Sequence, residues 1–361
     1  MARYPWLMTA REASQLFLWN TDYLVQRLLV PGGLAQYVGE CLVQCFYHPL
    51  WGAAVYAVLC LAAQWITFRL LGWQRRLWSP LAAVVVAVLA IQVYVPLTLT
   101  VALLMAAAMM LAMPRQGMTM WGAVLLTMTA GYWVTGPAVA MVLLRCRLKA
   151  VPATAVLLAC SIYTSSYVAP YPLRQLARGV DYYWEMHHMG SADEMRCDWQ
   201  IRQGRWADIV ADYADSPAAA IQNTVQVARF HLHHISEQEL NRSISLSKGA
   251  MHSQAGAFLM SEVCMQIGMA QMSQRAAFEA MEAIPNHNKS GRALRRLVET
   301  NLVTGYPQVA LKYIGLLRQT MAYRAFALRL LPLARHPALI KEHPYYGPLQ
   351  NAYKESHDTF F

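Results

Sequence analysis

The sequence predicts an all-α protein: a polytopic transmembrane helical domain followed by a degenerate helical-repeat domain. Three observations carry this expectation. Between Cys41 and Val180 there is no aspartate or glutamate, while apolar runs fill most of the stretch. A soluble surface of that length needs carboxylates to face water and to pair with its arginines, so the solvent implied is lipid. Charged residues make up 14% of the chain, against about 25% in soluble domains. Past Tyr171 the carboxylates return, and paired helical segments separated by turn glycines take over. The domain limits that follow are 1–50 for N-terminal interfacial helices, 51–170 for the transmembrane part and 171–361 for the repeats.

The formal net charge of +10 is unevenly spread: residues 1–170 hold ten Lys/Arg against three Asp/Glu, and residues 171–361 hold twenty against seventeen. Cations flanking apolar segments are the usual bias of membrane-protein loops, so the basic balance is not a nucleic-acid footprint. The expected surroundings are a lipid bilayer and no nucleic acid. Seven cysteines show no CxxC pair and no framework spacing, and those in apolar segments read as small hydrophobes. Cys41 and Cys45 share a helix face without a further ligand in reach. The N-terminus has no signal-peptide layout.

Taken in order, Ala13 to Val30 is helical by pattern and is stopped by Pro31-Gly32-Gly33. It carries Asp22 and Arg27, each costing about 2.5–3.5 kcal/mol at a bilayer centre. A helix lying in the interface avoids that cost, and Phe17, Trp19 and Tyr23 suit the depth. Leu34 to Tyr47 repeats the theme with Glu40 and Gln44. Trp51 to Leu71 reads as a full span. Pro80 to Met113 is too long for one upright span, and Pro96 near its middle predicts two short helices, about 80–95 and 97–113.

Thr119 to Leu144 contains Gly131 and Gly136-Pro137. It reads either as one span or as a hairpin turned at Gly136-Pro137. The hairpin places Arg75, Arg76, Arg115, Arg145, Arg147 and Lys149 on one side, which the positive-inside rule favours, and leaves the C-terminal half outside the cytoplasm. Ala150 to Ala169 is a last span, with Pro152 tolerated in its first turn. The total is roughly five or six spans. The first segments should lie on the outer side, which implies a leading transmembrane helix ahead of them.

In the second half, the clearest unit is Ser290 to Arg318. One helix ends at Thr304-Gly305 and a second runs from Pro307 through Ala310, Tyr313 and Leu317. Glycine at the turn and alanine five positions later match the tetratricopeptide pattern, in which the glycine closes the turn and the alanine admits a close helix. Similar turns stand at Gly204 and Gly268. The three glycines are spaced near multiples of the tetratricopeptide period of about 34 residues.

Few residues carry chemistry. Asp22 is the sharpest catalytic candidate, as a base or metal ligand in an outward-facing interfacial segment; its plainer role is to face water or to pair with Arg27. His231 and His234 share a helix face, and His187-His188 precede them, but no Cys or carboxylate stands at a matching spacing closer than Glu237, and surface polarity accounts for them. Thr98, Thr100, Thr127, Thr129, Tyr132 and Thr135 fall near the membrane turns, where hydroxyls serve helix packing or line a passage. No P-loop, nucleophile elbow, Rossmann fingerprint or zinc-protease motif is present, so no cofactor and no metal is expected.

Gln15-Leu16-Phe17-Leu18, Asp22-Tyr23, Pro31-Gly32-Gly33-Leu34-Ala35 and Tyr132-Trp133 resemble stretches of a family of bacterial polytopic membrane proteins known only as a domain of unknown function. So does Gln274 to Asn286, with Asn288-Lys289-Ser290-Gly291-Arg292 behind it. The resemblance covers both halves. It implies a multi-span membrane domain with a tetratricopeptide-like tail, and brings no activity and no catalytic residues. The chain departs from the pattern by lacking a leading span and by a short membrane half. The expected function is that of an inner-membrane protein whose helical repeats dock an envelope protein, with the tail on the periplasmic side. The alternative is a glycosyltransferase-like enzyme acting on a lipid-linked sugar with Asp22 in the outer loop, a fold-level analogy.

Overall fold

The computed structural model describes residues 4–114, 118–146, 150–183, 189–246, 248–283 and 289–355. Every regular element among them is helical. The chain forms two compact units, one of Trp19–Trp184 and one that joins Arg3–Leu18 to Glu185–Phe361. The segment expected as one block of interfacial helices over 1–50 is thus divided. Its first helix, α1 (Pro5–Ala13), belongs with the C-terminal residues.

The continuous helix expected over Ala13–Val30 is also interrupted. Residues 15–19 take no regular structure, and α2 (Thr21–Leu28) begins afresh. Asn20 has extended backbone, and its side chain accepts the Tyr23 N–H at 2.7 Å. That N-cap sets the helix start. Leu16 and Phe17 are buried, so their apolar period belongs to tertiary packing rather than to an interfacial face.

In the first unit α2 is followed by α3 (Gly33–Val43), α4 (Pro49–Arg75), α5 (Pro80–Ile91), α6 (Leu97–Ala112), α7 (Met118–Thr135), a 3-10 segment Gly136–Arg145, α8 (Val151–Ser165) and α9 (Leu173–Arg178). On α4, Tyr56, Leu59, Ala63 and Ile66 form a buried stripe while Trp51, Val58, Leu61 and Trp65 form an exposed one. A helix that is apolar all round is unlike the surface helix of a soluble protein. Leu81, Val84, Val85, Val88 and Ile91 repeat the exposed apolar face on α5.

Two helical runs, Pro49–Leu71 and Trp121–Arg145, are long and apolar enough to cross a membrane, and Pro80–Ile91, Leu97–Ala112 and Val151–Ser165 are shorter apolar helices. Of the five or six expected spans, these two have the length among the described residues. The break expected at Pro96 is present, with Pro96 extended at the N-cap of α6. The chain also turns at Gly136, which has φ +61°. Beyond the turn, Val139 returns to Gly131, where an added Cβ would stand 3.2 Å from its Cγ2. Arg115, Arg147 and Lys149, and the side chains of Arg75 and Arg76, lie outside the described residues.

The second unit contains α1 and a succession of helices: α10 (Ala192–Arg202), α11 (Trp206–Tyr213), α12 (Ala219–His231), α13 (Glu237–Ser243), α14 (Gln254–Gln266), α15 (Ala270–Glu282), α16 (Gly291–Val303), α17 (Pro307–Leu317), α18 (Arg324–Arg335) and α19 (Tyr346–Glu355). Serines fix several starts: Ser191, Ser236, Ser253 and Ser290 each accept a backbone N–H of the first turn. Neighbours in sequence pack on one another from α14 through α18.

Each of the three turns read from the sequence is a helical hairpin closed by a left-handed glycine, Gly204, Gly268 or Gly305, with φ of 64°, 80° and 87°. Five residues after each stands a side chain with no exposure: Ile209, Ser273 and Ala310. At the second hairpin the close approach is made by serines. Ser261 Oγ donates to Ser273 O at 3.0 Å, and Ser273 Oγ donates to Ser261 O at 2.7 Å. We expect Ser273→Ala to be mild, and Ser273→Leu, which overfills the crossing, to cost about 1–3 kcal/mol; thermal unfolding of the two variants checks this.

Candidate functional site

In the first unit two helical i,i+4 pairs face each other across a glycine turn. Tyr23 and Arg27 lie on α2, and Gln36 and Glu40 on α3. Gly32 is left-handed with φ +81°, and a Cβ on Gly33 would lie 1.7 Å from Arg27 O. Only glycine lets α3 fold back this tightly on α2. The turn brings Glu40, 1% exposed, under three donors: Tyr23 Oη at 2.6 Å, Arg27 Nε at 2.9 Å and Gln36 Nε2 at 3.1 Å. Arg27 also donates to Tyr23 Oη at 2.8 Å and lies 4.6 Å from the centre of its ring. Burial pushes the Glu40 carboxyl up, against the pull of Arg27.

Asp22 is exposed in the first turn of α2, where a carboxylate suits the positive helix end. Arg27 pairs with Glu40, a carboxylate expected on an interfacial helix. The threonine hydroxyls of α7 serve their own helix: Thr127, Thr129 and Thr135 donate to carbonyls four residues back. Tyr132 Oη donates to Leu176 O at 3.1 Å, and Thr98 Oγ1 donates to buried Asp181 at 3.1 Å.

The second unit holds a larger polar centre. Arg292 forks onto Asp198 with both Nη atoms, each at 2.5 Å. Its guanidinium lies 4.1 Å from the centre of the Phe258 ring and 3.4 Å from Glu262. Arg202 reaches Asp198 at 3.4 Å. Arg296 bonds Glu262 and reaches Glu299 at 3.1 Å, and Tyr346 Oη donates to Glu299 at 3.3 Å. This lattice links α10, α14, α16 and α19. Burial alone would raise the Glu262 carboxyl, but Arg296 and Arg292 hold it down at about 2. A pocket beside the fork, lined by Ala13, Met195, Asp198, Gln254, Phe258 and Arg292, has room for about one water.

Helix α1 is fastened to the same centre. Tyr323 Oη donates to Glu12 Oε2 at 2.8 Å, Ser14 Oγ donates to Gln254 Oε1 at 3.0 Å, and the Gly291 N–H donates to Gln15 O at 3.4 Å. Burial pushes the Glu12 carboxyl up to about 7, against Tyr323, Arg202, Arg292 and Arg295. Arg11, likewise buried, is lowered to about 10 by desolvation.

Some of the stretches that carry the family resemblance meet one another. The Gly32 N–H reaches the carbonyls of Tyr132 and Trp133 at 3.2 and 3.0 Å. Gln15 meets Gly291 in the second unit, where Ser290 caps α16, Gly291 leaves room for the Tyr323 ring and Arg292 grips Asp198. Residues 284–288 of that stretch lie outside the described residues, as do His187 and His188. His231 stacks on Trp206 with ring centres 4.1 Å apart, and His233 takes a left-handed φ of 59°. All seven cysteines are free. Among the described residues no three His, Cys, Asp or Glu gather as a metal site.

These features define an all-α protein with two apolar helices of membrane-crossing length and a second unit braced by buried ion pairs. The chain belongs to the family of unknown function DUF6057, whose model matches residues 1–190 and 148–361. No curated protein and no solved structure matches it.

Removing one member of a buried pair strands the other, so Arg292→Ala is expected to cost about 3–5 kcal/mol, read as a fall in the unfolding temperature. Glu12 gives a pH signature. Its folded value of about 7 lies above the usual 4.5, so its favourable contribution is complete below pH 4.5 and is lost as pH rises through 7. Between pH 5 and 8 the wild-type unfolding temperature should fall relative to that of Glu12→Gln.

Proposed function

We propose that this is a multi-pass protein of a bacterial inner membrane whose second unit, a degenerate tetratricopeptide-like array on the periplasmic side, docks an envelope protein. The observation that carries the reading is the run of hairpins closed at Gly204, Gly268 and Gly305. Stacked hairpins offer a continuous rigid surface whose core is already satisfied, and binding to such a surface needs no covalent chemistry. The outward apolar stripes of α4 and α5 support the membrane assignment, because lipid is the solvent that tolerates them.

A second reading is a transferase acting on a lipid-linked sugar. Asp22 favours it, as an exposed carboxylate at a helix start above the fixed Tyr23–Arg27–Glu40 centre. One experiment separates the two. A photo-crosslinking residue replaces exposed Phe278 in the full chain in membranes, and Asp22→Asn is tested for complementation of a gene deletion. The docking reading expects a discrete adduct at Phe278 and full complementation by Asp22→Asn. No adduct together with failed complementation would sink docking and favour the enzyme.

A further inference from the structure

Between Asn301 and Lys341 the chain has no carboxylate and six cations: Lys312, Arg318, Arg324, Arg329, Arg335 and Lys341. All six are exposed. Elsewhere in residues 171–361, fourteen cations stand against seventeen carboxylates, so the positive excess of the second half is concentrated here. None of the six has a carboxylate within ion-pair distance among the described residues, unlike Arg196 and Arg205, whose exposed side chains are paired.

The cations are arranged on a helix face. At 100° per residue, Arg324, Leu328 and Arg335 fall within about 40° of one another on α18, with Arg329 at the edge of the same exposed side. The opposite face, Phe326, Ala327, Leu330, Leu333 and Ala334, is buried. Arg324 stands in the first turn of α18, where the helix dipole disfavours a cation. The stability of the helix therefore does not explain its position. Leu328, Met321 and Leu339 lie exposed among the cations at 45%, 51% and 42%. Basic heads interleaved with projecting apolar chains suit the boundary between phospholipid headgroups and acyl chains.

We propose that the basic face of α18, with Arg318 and Lys341 at its margins, rests on the headgroups of anionic phospholipids. The occupant is a bilayer surface, because the same chain carries two helices apolar enough to cross one. Such contact is additive over basic residues and is screened by salt. It uses a surface distinct from the one offered to a protein at Phe278, so it stands whether or not the docking reading does.

The test is hydrogen–deuterium exchange of the full chain in nanodiscs of phosphatidylcholine alone or mixed with phosphatidylglycerol. The expected result is a several-fold slowing of amides in 324–335 in the anionic discs, absent at high salt, with α14 and α15 unchanged. The triple variant R324E/R329E/R335E should lose the slowing, while R324K/R329K/R335K keeps it, because a headgroup surface reads charge. Since these side chains are exposed and unpaired, both variants should retain the wild-type unfolding temperature. Equal exchange in the two kinds of disc overturns the proposal. So does slowing that persists in the charge-reversed variant, or slowing independent of phosphatidylglycerol that the lysine variant loses, which would mark a carboxylate partner needing the guanidinium fork.

Discussion

The fork of Arg292 on Asp198 is the interaction on which the second unit depends. Two charges withdrawn from water are tolerable only when each finds its complement in good geometry, and here the complement lies 94 residues away in sequence. Once Arg292 is committed to Asp198, the positions of Phe258 beneath its guanidinium, of Glu262 beside it and of Arg296 one turn further along α16 are constrained as well. A volume-conserving swap in an apolar core typically costs less than about 1.5 kcal/mol, whereas stranding a buried charge costs about 3–5 kcal/mol. Helix α16 is accordingly buried along nearly its whole length despite carrying three arginines and a glutamate.

The first unit poses a different problem. Its helices α4 and α5 turn apolar stripes outward while Glu40 and Asp181 are buried, so these carboxylates must be satisfied from within. Glu40 takes three donors, Asp181 takes Thr98, and the threonines of α7 return their protons to their own helix. Glycines make the approaches possible: a Cβ on Gly39 would lie 3.0 Å from the backbone of Thr98, so α3 and α6 meet with nothing between them.

What the sequence revealed and what it hid divide along one physical line. Local signals were legible: the left-handed glycines at 204, 268 and 305, the break before Pro96 and the turn at Gly136-Pro137 all appear where the residue types place them. Pairings between distant residues were not. Glu40 with Arg27, Glu12 with Tyr323 and Arg292 with Asp198 join positions 13, 311 and 94 residues apart, and no periodicity encodes such a partner. The apolar period of residues 13–30 misled because Leu16 and Phe17 are buried in the second unit while Tyr23 serves the first. The Ser290-Gly291-Arg292 stretch stood out as a motif, yet its reason, a cap, a space for a ring and a fork, shows only in three dimensions.

The placement of α1 bears on how the chain is made. A ribosome delivers Pro5–Ala13 ahead of the first unit, but Ala257, Phe258 and Ala293, against which Ala13 packs, emerge only after it. Until then Glu12 lacks the Tyr323 hydroxyl that it accepts from, and the segment waits while the apolar helices emerge behind it. The second unit is therefore discontinuous. Expressed by itself, residues 185–361 would present an empty groove of alanines and a phenylalanine where the N-terminal segment belongs. Residues 3–18 fill that groove in the finished unit, so a change in that segment is felt in a unit whose other residues lie beyond position 184.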